Sequence, residues 1–572
     1  MNLTPKQRAE AREEFLRCSR RDFLKASTAA VAVTGASAGA FYFGYGKAHG
    51  EPLRVGVLGT GDEGCVLISA INPEYVQVKA IADIRPFNRW RAFNGDHASD
   101  NTLAVRRGLM NVYGWKTEDE AKKHVKVYED YRELLKNAIS DGIEAVIIAL
   151  PLHLHAEAAI VAMKLGLHVL TEKLMARTVA QCKEMARVSE MTGRFLATGH
   201  QRHYNILYEE AVENIRRGVL GDLHYIRAQW HRGNMPGTDS WQQPMPYEVN
   251  PKDKQALRLL NDERSLRAQL SKAKGADIDK FTMRLKQKLM QMADKSVDAE
   301  KYGYQANTLT EVAADGTRHT VYSCSALEEL LRWRLWGRTG GGLMVELGSH
   351  QLDAASIFVA ALHGGEKQMP ISVAASGYRN IFPYDRDTND HVVCMFEFPL
   401  PGYKATNSED AKKKIGVQYA TINGNGFGGY GEIIYGTKGT LILDREQEAF
   451  LLRDQTQSKV SASKDAGPTL DTQSSGASQT VVAGAGAVQV SRGYTEEIEH
   501  FAWCIRNPAP ENQPRCTPKI AMADAIIAHV TNISAKNAQR IYFKPEWFDI
   551  HQDDTPEGDV PNLKKSQYHY FG

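Results

Sequence analysis

Leu53-Arg54-Val55-Gly56-Val57-Leu58 runs straight into Gly59-Thr60-Gly61-Asp62-Glu63-Gly64, and that juncture restricts the fold more than any other part of the chain. A short apolar run rich in valine and leucine reads as a buried strand, and the glycines behind it read as a turn that opens a helix. Each glycine has its own task. Gly59 permits the tight turn, Gly61 lets the backbone approach a ligand, and Gly64 lets helix and strand pack closely. The helix then presents unpaired N–H groups and a positive dipole end, which suit a pyrophosphate. Asp83 closes the next apolar run, Val76 to Asp83, where a carboxylate meets ribose hydroxyls and repels a 2′-phosphate. Together these residues predict a dinucleotide site that favours NAD over NADP, with nearby Arg85 softening the preference.

The pattern continues as alternating strands and helices. Ala145–Leu150, His168–Thr171 and Arg194–Thr198 read as strands, and Tyr131–Asn137 and Ala156–Leu165 as helices, the latter stopped by Gly166. That is the signature of a parallel sheet flanked by helices, an α/β Rossmann domain over residues 51–200. Past about residue 220, strand-like runs follow one another, as in His391–Phe398, Glu432–Tyr435 and Thr440–Leu443. They predict a C-terminal α+β domain with a mostly antiparallel open sheet, serving substrate binding and oligomerisation, over residues 201–572. Two stretches look added. Residues 251–300, dense in Lys, Arg, Asp, Glu, Leu and Met, predict a helical insertion on the surface or at a subunit contact, and Ser/Ala/Gly/Thr-rich 455–490 predicts a flexible loop.

Residues 1–50 stand apart. Ser19-Arg20-Arg21-Asp22-Phe23-Leu24-Lys25, followed by a weakly apolar Ala/Gly-rich run to about Tyr45, resembles a twin-arginine (Tat) signal. Gly, Ser and Thr dilute the run too much for a good spanning helix. The expectation is periplasmic or other export by the Tat machinery, with a membrane anchor if the signal stays uncleaved. A formal charge of +2 carries no nucleic-acid signature. Of seven cysteines, Cys18 lies in the signal, and the others show neither CxxC nor zinc spacing, so no metal site is expected. A Cys504–Cys516 bridge stays open.

The stretches "YEDYRELLKN" and "IEAVIIALPLHLHAEAAIVAMKLGLHVLTEKL", between residues 128 and 174, resemble the Gfo/Idh/MocA oxidoreductase family. The resemblance implies that Pro151 and His155 cover the nicotinamide ribose, and that Glu172 and Lys173 are the family's Glu-Lys pair. Leu174 stands where the family has proline, and His153 where it has asparagine. It also implies that Gln201, in Thr198-Gly199-His200-Gln201-Arg202, approaches the nicotinamide.

In "WGRTGGGLMVELGSHQLDAASIF", Glu346, His350 and Asp353 fall on one face of a helix. The family's pattern of an acid, three residues and a histidine maps onto Glu346 and His350, although Asp is commoner than Glu. Oxidising a secondary alcohol sends a proton to a nearby base, and His350 suits that role. Lys173 would polarise the reacting oxygen, and Glu346 would bind a hydroxyl or orient the imidazole. Asp353 is a candidate substrate ligand or a structural partner of His350. Trp230, Arg232, Asn234 and Trp241, in "QWHRGNMPGTDSW", either offer aromatic faces and donors to a sugar, with Arg338 and Thr339 as further contacts, or form a packed interdomain loop.

These residues predict an exported, NAD-dependent oxidoreductase acting on a sugar, cyclitol or derivative and retaining its cofactor, and the resemblance implies a homodimer or homotetramer. Two other readings stay open: an NAD-dependent glycosidase working through transient oxidation and elimination, and a non-enzymatic sugar-binding protein.

Overall fold

The computed structural model describes residues 3, 5–18, 42–47, 50–248, 254–453 and 492–569. The twin-arginine stretch and segment 455–490 lie outside the described residues. Among those described, no helix is long and apolar enough to cross a membrane.

Six strands form the first sheet: β1 (Leu53–Leu58), β2 (Val76–Ala82), β3 (Lys126–Tyr128), β4 (Ala145–Ile148), β5 (His168–Glu172) and β6 (Leu196–Gly199). They are parallel, in the order β3-β2-β1-β4-β5-β6. β1 and β4 are apolar almost throughout because helices cover both faces of the sheet. The chain builds outward from β1 on one side and resumes beside it with β4. The C-terminal ends of β1 and β4 therefore mark the switch point where such sheets bind ligands.

The remaining strands are β7 (Leu223–His231), β8 (Asn307–Val312), β9 (Arg318–Cys324), β10 (Ser372–Tyr378), β11 (His391–Pro399), β12 (Lys414–Ile422), β13 (Tyr430–Gly436), β14 (Gly439–Asp444), β15 (Glu448–Arg453) and β16 (Ile541–Tyr542). Eight of them make the second sheet, in the order β15-β14-β13-β7-β12-β11-β10-β16, antiparallel except where β7 lies beside β12. Its strands alternate. Ile226, Ala228 and Trp230 of β7 and Val417 and Tyr419 of β12 are buried, with half-exposed residues between them. The helices Ser349–Ala361 and Pro518–Asn537 pack on this sheet, and one apolar cluster joins Ile148 and Val169 of the first sheet to Val345, Phe358 and Ile434. The helix Pro5–Cys18 sets Ala11 against Ile433, Ile442 and Phe450.

Three features depart from the domain plan read in the sequence. The helix Tyr494–Arg506 returns to the Rossmann domain, where Ile498, Phe501 and Ala502 join the core beneath β1 and β2. The added segment also runs past residue 300 into the β8–β9 hairpin and the helix Ala326–Leu331. Finally, its helix Ala276–Ala293 is pinned to the Rossmann domain: Gln287 donates to Asp96 at 2.8 Å and accepts from the His97 amide at 2.5 Å. Only Leu285 and Gln287 of that helix are buried, so its composition reads as solvated although one face is docked. Cys504 and Cys516 are both free and buried, and the bridge left open by the sequence is not made.

Candidate active site

The glycine turn separates demands of packing from demands of a ligand. At Gly59, with φ of 87°, a Cβ would meet the Ala149 carbonyl at 2.4 Å, and at Gly64 it would meet the Gly59 carbonyl at 2.2 Å. Packing alone explains both. At Gly61 the nearest atom would be Asn88 Nδ2, at 3.9 Å, so no protein contact requires glycine and the missing side chain opens the groove instead. Gly61 also starts the helix Asp62–Ala70 with no side-chain cap, leaving its first N–H groups for an anion.

Asp62, in the first turn, would oppose that anion if its charge were unmatched. It pairs with Arg91 at 2.7 Å, and Arg91 and Arg106 each reach Asp96 at 3.2 Å. Burial pushes the Asp62 carboxyl up, but Arg106 and Arg91 outweigh it and hold the group well below the usual range. Asp83 is fixed at the end of β2 by the Thr60 amide at 2.8 Å, the Arg85 amide at 2.9 Å and Asn88 Nδ2 at 3.1 Å.

The groove encloses about 1500 Å³, open mouth included, and runs from this turn to the second sheet. Pro151, His155, Glu172, Lys173, Gln201, Trp230, Arg232, Glu346 and His350 all line it. The two His155 ring nitrogens lie 2.9 Å from the Leu174 carbonyl and 2.8 Å from the Leu150 carbonyl, so this side chain ties the loop after β4 to the end of β5. Burial pushes its pKa down.

Lys173 Nζ donates to the Glu346 carbonyl at 2.8 Å, which aims the ammonium across the groove at the second domain. The Lys173–Leu174 peptide bond is cis. Glu172 accepts from the Lys173 amide at 3.1 Å, and burial, reinforced by Glu63, pushes its carboxyl well up.

His350 opens the Ser349–Ala361 helix with its ring 5.6 Å from that of Trp230. Burial, helped by the charges of Lys173 and Arg202, drives its pKa well below 6.5, so the imidazole is neutral. Glu346 departs from the simple helix face. Residues Met344–Gly348 form a π turn, whose wider spacing rotates Glu346 relative to His350. The Glu346 carboxylate goes to Arg334 Nε, at 3.1 Å. Burial raises this group, but Lys173 and Arg334 prevail and it lies below the usual value.

Asp353 and Asn234 do not line the groove. Asp353 is buried beneath it, 3.1 Å from His203, 3.1 Å from Lys367 and 3.5 Å from His200, because the turn between His350 and Asp353 points it at this basic cluster. The geometry makes it a partner of those groups. Asn234 lies near Ser240 in the loop after β7 and accepts from the Gly424 amide at 2.9 Å. Trp241 is buried under Arg232, whose guanidinium lies 5.1 Å from its ring. Arg338 pairs with Glu329, and Thr339 donates to the Trp333 carbonyl at 2.6 Å.

His200, Asp353 and Asp524 converge closely enough to suggest a cation site. Lys367 Nζ already donates to both carboxylates, so the chain supplies that charge itself.

Sequence reasoning missed Arg334, Tyr304, Arg492 and Tyr494 in the groove lining. Only Arg334 had a signal, its place ahead of "GRTGGG". The others are brought in by the added segment and by the return of the chain after residue 491. Glu63 Oε1, Glu172 Oε1 and Gln201 Oε1 are buried with no hydrogen-bond partner among the described residues, and their residues all line the groove. Such atoms call for a polar ligand. With the bare Gly61 and the carboxylate of Asp83, the residues present fit a dinucleotide.

Residues 53–200 match the Gfo/Idh/MocA description, an oxidoreductase family with an NAD-binding Rossmann fold. A glycosyl hydrolase family 109 protein of Solibacter usitatus (strain Ellin6076) is 26% identical over 182 residues, 31% of this chain and 37% of that protein. A 1-carboxy-3-chloro-3,4-dihydroxycyclo hexa-1,5-diene dehydrogenase of Comamonas testosteroni is 27% identical over 177 residues, again 31% of this chain and 37% of that protein. The chain thus spans little more than a third of the length of these curated relatives. Among solved structures, an inositol dehydrogenase homolog of Azotobacter vinelandii, complexed with NADH and myo-inositol, is similar over 86% of this chain and 98% of that one. Identity is 13% and the TM-score 0.51, a likeness of fold. Residues 53–200 are an NAD-binding Rossmann domain.

Proposed function

We propose that the chain is an exported oxidoreductase that keeps NAD bound and moves a hydride from a secondary hydroxyl of a sugar, cyclitol or derivative. One observation carries this reading: Lys173, from the Rossmann domain, and His350, from the second domain, face one groove that also holds the dinucleotide turn. Bound NAD supplies the hydride acceptor. The chain's own residues do the rest. His350 takes the hydroxyl proton on its neutral ring, Lys173 stabilises charge developing on the oxygen, and Trp230 and Arg232 hold the sugar from the side of the sheet. Glu346 keeps Arg334 in place at the groove wall. Export rests on Ser19 to Lys25, and retention of the cofactor follows from it, because a compartment poor in free NAD would stall an exchanging enzyme. Purified protein given a panel of sugars and cyclitols should reduce its nicotinamide, read by absorbance; Lys173→Ala and His350→Ala turning over as fast as the parent would overturn the roles.

A second reading, a glycosidase that oxidises, eliminates and returns the hydride, is favoured by the family 109 relative. Release of sugar from aryl glycosides with no net NADH would support it, and intact glycosides after prolonged incubation would exclude it.

A further inference from the structure

The added segment reaches the cofactor site at one residue. Asp294, directly after the helix Ala276–Ala293, is buried. Its Oδ2 accepts from Arg85 Nε at 2.9 Å and lies 2.8 Å from Arg85 Nη2, while its Oδ1 accepts from the Phe87 amide at 3.0 Å. Arg85 follows Asp83 closely and lines the groove. That is where an arginine in this fold can meet the 2′-phosphate of NADP. Here Nε and Nη2 of its guanidinium are both turned to Asp294. The neighbouring cation, Arg89, is also engaged, with the Asp83 carbonyl at 2.7 Å and Glu129 at 3.1 Å.

We propose that Asp294 is a positioning residue for cofactor choice: it holds Arg85 away from the ribose 2′ position, so that the added segment enforces the preference for NAD. The inference rests on the NAD-binding character of the Rossmann domain and is independent of the substrate. Its physical basis is a competition for one guanidinium. To turn to a 2′-phosphate, Arg85 must leave a buried carboxylate without its cation and with only the Phe87 amide, whereas with NAD bound the pair stays intact and Asp83 meets the free hydroxyls. Asp294 is itself anchored, since Gln287 ties the preceding helix to Asp96 and His97. The sequence shows Asp83 and Arg85 two positions apart with opposite preferences, and the fold resolves the conflict from a distant part of the chain.

Binding of the two reduced nucleotides tests this without any substrate. Protein stripped of nucleotide is titrated with NADH and NADPH, following nicotinamide fluorescence, for the parent, Asp294→Asn and the double variant Asp294→Asn/Arg85→Gln. Asp294→Asn keeps an acceptor for the Phe87 amide and removes the charge that holds Arg85. NADPH affinity should rise about tenfold in this variant, the scale of a charge-assisted hydrogen bond, while NADH affinity stays within about threefold. The gain should vanish in the double variant. Asp294→Ser repeats the comparison should Asp294→Asn not fold. Equal weakening of both nucleotides would mark Asp294 as merely structural, and a gain that survives loss of Arg85 would remove Arg85 from the argument; either result overturns the proposal.

Discussion

At the scale of residues, the account depends on two side chains whose environments differ. His350 is neutral because burial and neighbouring cations disfavour its protonated form. A base of this kind works until the pH falls through its lowered pKa. The kcat/KM profile should therefore be level from about pH 6.5 to 8, with its acid limb centred well below the ordinary histidine value of 6.5. An acid limb centred at 6.5 or above would show a solvated imidazole and contradict the burial. Lys173→Ala and His350→Ala should each lower kcat by about 10²- to 10⁴-fold, the range of a positioned acid or base, in a single-turnover measurement. Glu346→Gln should act differently: it loosens Arg334, so KM should rise more than kcat falls.

At the scale of elements, Arg91, Arg106, Asp62 and Asp96 form a buried network behind the glycine turn. Arg91→Met leaves the carboxylates without their main partner and should cost about 3–5 kcal/mol in denaturant unfolding. The pH dependence follows from the depressed carboxyls of Asp62 and Asp96. Their stabilisation is complete above the ordinary value of 3.8 and is lost as pH falls through the lowered folded values, so the parent should lose stability in acid and Arg91→Met should lose less.

The same scale explains what could be read in advance. The strand, glycine turn and Asp83 were legible because their reasons are local: backbone freedom, a helix terminus and a carboxylate at a strand end. The pairing of Lys173 with the Glu346 carbonyl was not legible, since it joins two domains. The π turn escaped because the spacing from Glu346 to His350 suits an ordinary helix equally well. Asp353 looked like part of the site because it shares their helical pattern, but which face meets the groove is decided by packing on β7. The role of the added segment was hidden by its composition: a charged helix reads as solvated, and a single buried Gln287 does not alter that reading.

At the scale of the whole molecule, the groove is lined by residues of both the Rossmann domain and the second sheet, which is where the proposed substrate would meet the nucleotide. We expect the protein to leave the cell compartment of its synthesis with nucleotide in place. Protein recovered from the periplasm and denatured should release close to one NAD(H) per chain. We also expect dimers or tetramers formed through the second sheet, which light scattering of the purified protein would reveal as a mass of two or four chains.

The most direct measurement of the central claim is a single turnover on the retained cofactor. Protein carrying oxidised nucleotide is mixed with candidate sugars and cyclitols, each deuterated at its secondary carbinol positions in a parallel run, while reduced nicotinamide is followed by its absorbance. The account predicts that one substrate reduces about one nicotinamide per chain, that deuterium slows the step and appears in the recovered nucleotide, and that Lys173→Ala binds the nucleotide but does not reduce it. A recovered nucleotide free of deuterium, or reduction equally fast in Lys173→Ala, would contradict it.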